Sequence, residues 1–209
     1  LSSGQRSKPT LAFLCTGQGA QYRGMAQGLY QSQSVFKDAL DACAAVLDPL
    51  LEAPLLELMF SEDEDDERIN QTGNTQPALF AVEYALYKLL EASGVRPDVV
   101  MGHSVGEFAA AVIAGVMSLE DGAKLICARG RLMQSLPEGG GMLSVFADEA
   151  DVAPVLEAYQ ETVAIAGLNA SGQTVVSGDL KDLAKVEEAF QAKDIKTKAL
   201  KVSHAFHSP

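Results

Sequence analysis

The 209-residue chain contains no apolar run approaching the roughly 18 residues that a membrane-spanning helix requires, so no such helix is expected. Basic residues are scarce. Lys and Arg number 16 against 28 Asp and Glu, a net charge of −12, which argues against nucleic acid because phosphate binding needs a basic face. Cysteine is sparse and odd in number. Cys15, Cys43 and Cys127 sit in apolar surroundings and read as reduced, buried thiols of a cytoplasmic protein rather than a disulfide framework. Residues 1–8 lack an initiator Met and a signal-peptide pattern and read as a linker. Internal repeats and low-complexity tracts are also missing. What is present is a hydrophobic content of 47% with 21% charged residues, enough for a real core in one generous domain or two small ones.

Charge is distributed unevenly. Residues 62–67 are nearly all acidic and read as a solvated loop. Lys181, Lys185, Lys193, Lys196, Lys198 and Lys201 gather toward the C-terminus, where they are ordinary surface lysines or a surface that receives an acidic partner.

Along the chain, residues 10–15 form a short apolar strand running into a glycine turn. Helical spacing follows over 35–51. Thr75 reads as the cap of a helix with Pro77 in its first turn and Gly94 at its end. Residues 98–102 form another strand, followed at once by a small-residue helix over 107–114. Ser118 and Asp121 make a capping-box pattern for a helix reaching about Gln134. Strand and helix alternate, which predicts a largely parallel sheet covered by helices. After Gly139-Gly140-Gly141, read as a hinge, the order becomes strand 142–146, helix 151–159, strands 162–167 and 173–177, helix 182–192 and strand 196–202. That is the βαββαβ order of a ferredoxin-like unit.

Gly102-x-Ser104-x-Gly106 between a strand and a helix is the pattern of a nucleophile elbow. Its glycines permit a sharp turn that exposes the serine hydroxyl, and the next amide, Val105 N–H, opens the helix toward developing oxyanion charge. Gly17-Gln18-Gly19 is not a dinucleotide loop, because Tyr22 stands where the third glycine belongs. It suits a tight turn presenting a second oxyanion N–H. Arg129 has Leu125, Ile126, Leu132 and Met133 three and four positions away, so it is expected on an inward apolar face. There it pairs with a protein carboxylate or serves as a fork for a substrate carboxylate. His103 is expected to be structural. His204 and His207 are both open as the base for Ser104, and spacing does not choose between them.

These stretches together resemble the malonyl-CoA:acyl carrier protein transacylase family, most closely the acyltransferase domains of modular type I polyketide synthases. The matching segments are 13–25 (FLCTGQGAQYRGM), 75–81 (TQPALFA), 102–107 (GHSVGE), 128–134 (ARGRLMQ), 168–178 (LNASGQTVVSG) and 203–209 (SHAFHSP). The resemblance implies an α/β-hydrolase-like large subdomain over 9–138 and a ferredoxin-like small subdomain over 139–203. Residues 204–209 would begin a return to the large subdomain, which would continue beyond Pro209. It implies Ser104 as nucleophile, His207 as base, Gln18 and Val105 as oxyanion amides, and Arg129 on the free carboxylate of malonate. Gln76, His103, His204 and Phe206 would line the acyl site, the His204-Ala205-Phe206-His207 tetrad having the form usual in malonyl-selecting domains. No metal or tightly bound cofactor is implied. Malonyl-CoA would be donor and the phosphopantetheine thiol of an acyl carrier protein the acceptor, with ketosynthase and linker domains as neighbours. A serine esterase or thioesterase shares the elbow and is the first alternative; an inactive, truncated acyltransferase fragment or docking domain is the second.

Overall fold

The computed structural model describes residues 10–136, 139–200 and 205–209. They divide into two units that meet in the chain between Leu132 and Met133. No helix among the described residues is long and apolar enough to cross a membrane.

The first unit is built on two parallel strands, β1 (Ala12–Cys15) and β2 (Val99–Gly102), in register from Ala12↔Val99 to Cys15↔Gly102. A parallel pair needs a long crossover. Here it consists of α1 (Gln27–Ser32), α2 (Ser34–Leu47), α3 (Leu55–Met59) and α4 (Thr72–Ala92). Two helices follow β2, α5 (Gly106–Ile113) and α6 (Leu119–Gln134). Phe36, Leu40, Cys43 and Leu47 recur at threes and fours on α2 and are fully buried against α4 and its neighbours. Small residues on α4 (Ala78, Ala81, Ala85) and α5 (Ala109, Ala110) let these two helices approach closely. Val99, Met101 and Leu14 stand on the other face of the strand pair and are exposed.

Helix α4 begins at Thr72, three residues before the expected cap. A 3₁₀ turn over Arg68–Asn70 delivers the chain, and the Thr75 hydroxyl, already inside the helix, donates to the Ile69 and Gln71 carbonyls. Pro77 is therefore interior and gives no N–H to the Gly73 carbonyl four residues back. Helix α6 comes close at that place: a Cβ on Gly130 would lie 3.2–3.3 Å from Gly73 Cα, Gly73 O and Thr72 O. The α4 C-terminus ends as expected, with Gly94 at φ +81° and Val95 N–H donating to the Leu90 carbonyl. Ser118 caps α6 by accepting the Asp121 N–H at 3.1 Å.

The second unit runs β3 (Gly140–Val145), α7 (Glu149–Leu156), β4 (Val163–Ala170), β5 (Gln173–Asp179), α8 (Leu180–Gln191) and β6 (Thr197–Ala199). The sheet order is β4-β5-β3-β6 with every pair antiparallel, the ferredoxin-like arrangement. Leu143, Val145, Val152, Val176, Val186 and Phe190 form its core. The buried hydroxyls of Thr174 and Ser177 donate to the Ala147 and Gly141 carbonyls, which removes the cost of burying them.

Two members of the glycine triplet lie within the sheet. Gly140 and Gly141 are paired in β3 opposite Asp179 and Gly178, and a Cβ at Gly140 would meet Ala205 at 2.6 Å. The lysines of α8 stand among acids, since Asp182, Glu187 and Glu188 share the helix and Asp182 engages Lys185 at 2.8 Å. The acidic run is largely solvated, but Asp66 is tied to the Arg68 guanidinium.

Candidate active site

Strands β1 and β2 end side by side, and each runs into a turn carrying a predicted site residue. At the end of β2, Ser104 takes φ +53°, a left-handed conformation that costs a non-glycine residue of the order of 1–3 kcal/mol. The surrounding glycines explain why the turn persists. A Cβ on Gly102 would collide with the backbone of Gly106 and Glu107, and one on Gly106 would sit 2.6 Å from the Cys15 and Thr16 carbonyls. Strand, turn and helix are thus packed backbone to backbone, and the elbow expected from the sequence is present.

Around Ser104 most amides are used. His103 N–H donates to the Cys15 carbonyl, and those of Gly106, Glu107 and Phe108 donate to the carbonyls three residues earlier. Val105 is buried at the start of α5, and among the described residues its N–H meets no acceptor. The β1 turn behaves alike. Gly19 N–H is held by Gln21, whereas Gln18 N–H has no acceptor among the described residues and the Gln18 side chain donates to Thr72 Oγ1 at 3.1 Å. Gly17 is required by close approach, because a Cβ there would lie 2.5 Å from His103 Nδ1. His103 therefore packs against the β1 turn.

Arg129 reaches Ser104 from α6. Its Nη2 donates to Ser104 Oγ at 3.1 Å and its Nη1 to Gln76 Oε1 at 2.7 Å, and Gln76 is fully buried. The guanidinium also stands 5.7 Å from the centre of the Phe108 ring. Of the two partners expected for Arg129, a protein carboxylate is absent among the described residues: its hydrogen bonds go to neutral groups. Burial alone pulls its pKa below the ordinary value, and an arginine remains charged through such a shift. The result is a half-buried cation beside the Ser104 hydroxyl.

The apolar-face expectation for Arg129 needs correction. Ile126 is buried, but Leu125 and Leu132 are exposed. The inward stripe of α6 is Gly122, Ala123, Ile126, Cys127 and Gly130, in which Gly122 and Gly130 allow close contact with α4.

His207 and Phe206 belong to the second unit. Phe206 is buried, and His207 is exposed with φ +57°. His204 lies outside the described residues. Thus Ser104, Val105, Gln18, Gln76, His103 and Arg129 come together in the first unit, with Thr72, Phe108 and Glu83 as participants that the sequence reading did not single out. All three cysteines are buried and free, as expected.

A serine on a strained elbow, two N–H groups and a cation that meet no acceptor or counter-ion among the described residues suit acyl chemistry on a substrate carrying a carboxylate. The family model for the acyl transferase domain matches residues 12–209, and the chain belongs to that family. It is 48% identical over 197 residues to mycoketide-CoA synthase of Mycobacterium tuberculosis, a match covering 94% of this chain and 5% of that protein. Among solved structures, the acyltransferase domain from the second module of the salinomycin polyketide synthase superposes with a TM-score of 0.91 at 45% identity, over 97% of this chain and 47% of that one. Malonyl CoA-acyl carrier protein transacylase from Clostridium perfringens gives a TM-score of 0.86 at 32% identity, over 95% of this chain and 63% of that one. The chain therefore spans about half the length of the first of these domains and a small part of the curated synthase.

Proposed function

We propose that this chain carries the nucleophile and carboxylate-recognition half of an acyltransferase that moves a malonyl group from malonyl-CoA to the phosphopantetheine thiol of an acyl carrier protein within a polyketide synthase. The observation that carries the proposal is Arg129, whose guanidinium touches Ser104 Oγ while no carboxylate neutralises it among the described residues. A neutral acyl group would leave that desolvated charge unpaired, whereas the free carboxylate of malonate would satisfy its fork.

In the proposed reaction Ser104 Oγ attacks the thioester carbonyl and His207 takes its proton. The developing oxyanion is received by the N–H groups of Gln18 and Val105, which is consistent with their meeting no acceptor among the described residues. The C–S bond then breaks, and coenzyme A leaves with the proton returned by the histidine. In the second half the carrier's thiol gives its proton to the same base and attacks the acyl-serine, and Ser104 leaves reprotonated. Gln76 orients Arg129, and His103, His204 and Phe206 complete the wall around the acyl group.

An esterase built on the same elbow would hydrolyse its acyl-serine quickly without an acceptor. The test is the lifetime of the Ser104 ester, followed by intact mass in the full-length protein after exposure to malonyl-CoA. A long-lived malonyl ester discharged by carrier protein supports transfer. Prompt hydrolysis at the same rate with and without carrier would replace the proposal by the hydrolase reading.

A further inference from the structure

Helix α4 touches the candidate site at three points that share one face. Thr72, Gln76 and Glu83 are four and seven residues apart, and at 100° per residue they fall within roughly 40° of each other around the axis. Thr72 receives the Gln18 side chain and Gln76 receives Arg129. The third contact is Glu83, to which the reaction as proposed gives no role. One of its oxygens, Oε1, accepts both the Thr16 N–H, at 2.5 Å, and the Thr16 hydroxyl, at 2.8 Å. Its other oxygen, Oε2, is buried without a hydrogen-bond partner among the described residues.

The strand geometry explains why Thr16 needs an outside acceptor. Amides along a strand point alternately to its two edges. The Cys15 carbonyl faces β2, where it accepts the His103 N–H, so Thr16 faces away from the pair. Gly102, paired with Cys15 in the ladder, likewise turns its N–H outward, and Glu107 Oε1 accepts it at 3.2 Å. Each strand is thus gripped at its exit by a glutamate from a helix: Glu83 at the start of the turn bearing Gln18, Glu107 at the start of the elbow bearing Ser104.

Glu83 is a costly choice for stability alone. Burial pushes its carboxyl above the ordinary value, although the two hydrogen bonds from Thr16 pull the other way. A carboxylate with one oxygen unpartnered loses solvation that a methionine of the same length would not. Thr16 is exposed, so water would serve its N–H if Glu83 were gone. A buried polar group kept where a hydrophobic one would be cheaper points to a demand for position.

We infer that Glu83 is a positioning residue for acyl transfer, fixing Thr16 so that the turn Thr16-Gly17-Gln18 holds the Gln18 N–H at the oxyanion. The inference rests on the assignment of that N–H under the proposed function. Thr72 makes the second hold on the same turn, so α4 grips it at both Thr16 and Gln18.

The test is single-turnover loading of Ser104 from malonyl-CoA in the full-length protein, with Tm measured for every variant. Glu83→Met is expected to slow loading about tenfold or more, since a displaced oxyanion donor loses much of its effect. Its KM should stay within about twofold and its Tm should be unchanged or higher. Glu83→Gln keeps an acceptor oxygen for both Thr16 donors and should restore most of the rate. Loading by Glu83→Met within about twofold of the parent would overturn the inference, as would a Glu83→Gln variant no faster than Glu83→Met. If Glu83→Met does not fold, Thr16→Val removes only the hydroxyl half of the contact from an exposed side chain. It should slow loading severalfold at constant Tm, and an unchanged rate would overturn the inference. Gln18→Pro, which deletes the N–H itself, separates the two ideas. If it loads at the parental rate, the oxyanion assignment fails and the inference with it. If it is slow while Glu83→Met is fast, only the inference fails.

Discussion

Replacing Arg129 by alanine tests the recognition half of the site. Its two donors now point at Gln76 Oε1 and Ser104 Oγ, 2.7 and 3.1 Å away, and both would be redirected or shared when a carboxylate arrives. A hydrogen bond to a charged group is worth about 1.5–3 kcal/mol net, and the half-open setting places a two-pronged contact at about 2–4 kcal/mol rather than the full sum. At 1.4 kcal/mol per tenfold, Arg129→Ala should lower kcat/KM for malonyl-CoA by about 30- to 700-fold. Loading from acetyl-CoA should rise, because the methyl group no longer meets a desolvated cation. Arg129→Lys keeps the charge without the fork, cannot span Gln76 and Ser104 together, and should fall between. The assay is intact mass after timed exposure to malonyl-, methylmalonyl- and acetyl-CoA. If Arg129→Ala loaded malonyl within about threefold of the parent while acetyl loading did not rise, the carboxylate role of Arg129 would be wrong.

Other outcomes follow from the same geometry. Gly102→Ala places a Cβ inside the backbone of Gly106 and Glu107, so the elbow must open; Tm should drop by several degrees and Ser104 loading should be lost, checked by melting and by mass. Asp179 caps α8 by accepting the Lys181 and Asp182 N–H groups, so Asp179→Ala should cost the second unit about 1 kcal/mol in denaturant unfolding. Burial pushes Cys15 and Cys43 up to about 12 and Cys127 to about 11 from an ordinary 9.0. The folded chain therefore holds protons that the unfolded chain sheds above pH 9; stability is full below that pH and falls as pH rises toward 12. Urea midpoints at pH 8, 9.5 and 10.5 should decline in order, and iodoacetamide at pH 8 should label the three thiols only after unfolding. A flat series of midpoints would show that these thiols ionise as freely folded as unfolded.

What the sequence made legible was governed by local sterics and period. Gly102 and Gly106 announce an elbow because any side chain there collides with neighbouring backbone, and the βαββαβ order is written in alternating apolar spacing. The start of α4 was less legible: Pro77 favours a first helical turn, but the turn at Arg68–Asn70 and the bond from Thr75 to the Ile69 carbonyl carry the helix further back. For α6, large apolar residues suggested the wrong inward stripe, because the contact with α4 is made by Gly130 and other small residues while Leu125 and Leu132 stay exposed. Glu83 carried a faint signal, an acid at i+7 from Gln76 among Leu79, Val82 and Leu86. Its partner Thr16 is 67 residues away, a distance that no local pattern encodes.

The most direct measurement is the site of acylation. The full-length protein is exposed to malonyl-CoA, quenched, digested and mapped by fragmentation, before and after addition of carrier protein. A malonyl ester on Ser104 that persists alone and passes to the phosphopantetheine thiol when carrier is added is the predicted result. Transfer to carrier without any ester on Ser104, or an ester elsewhere in the chain, would contradict the account.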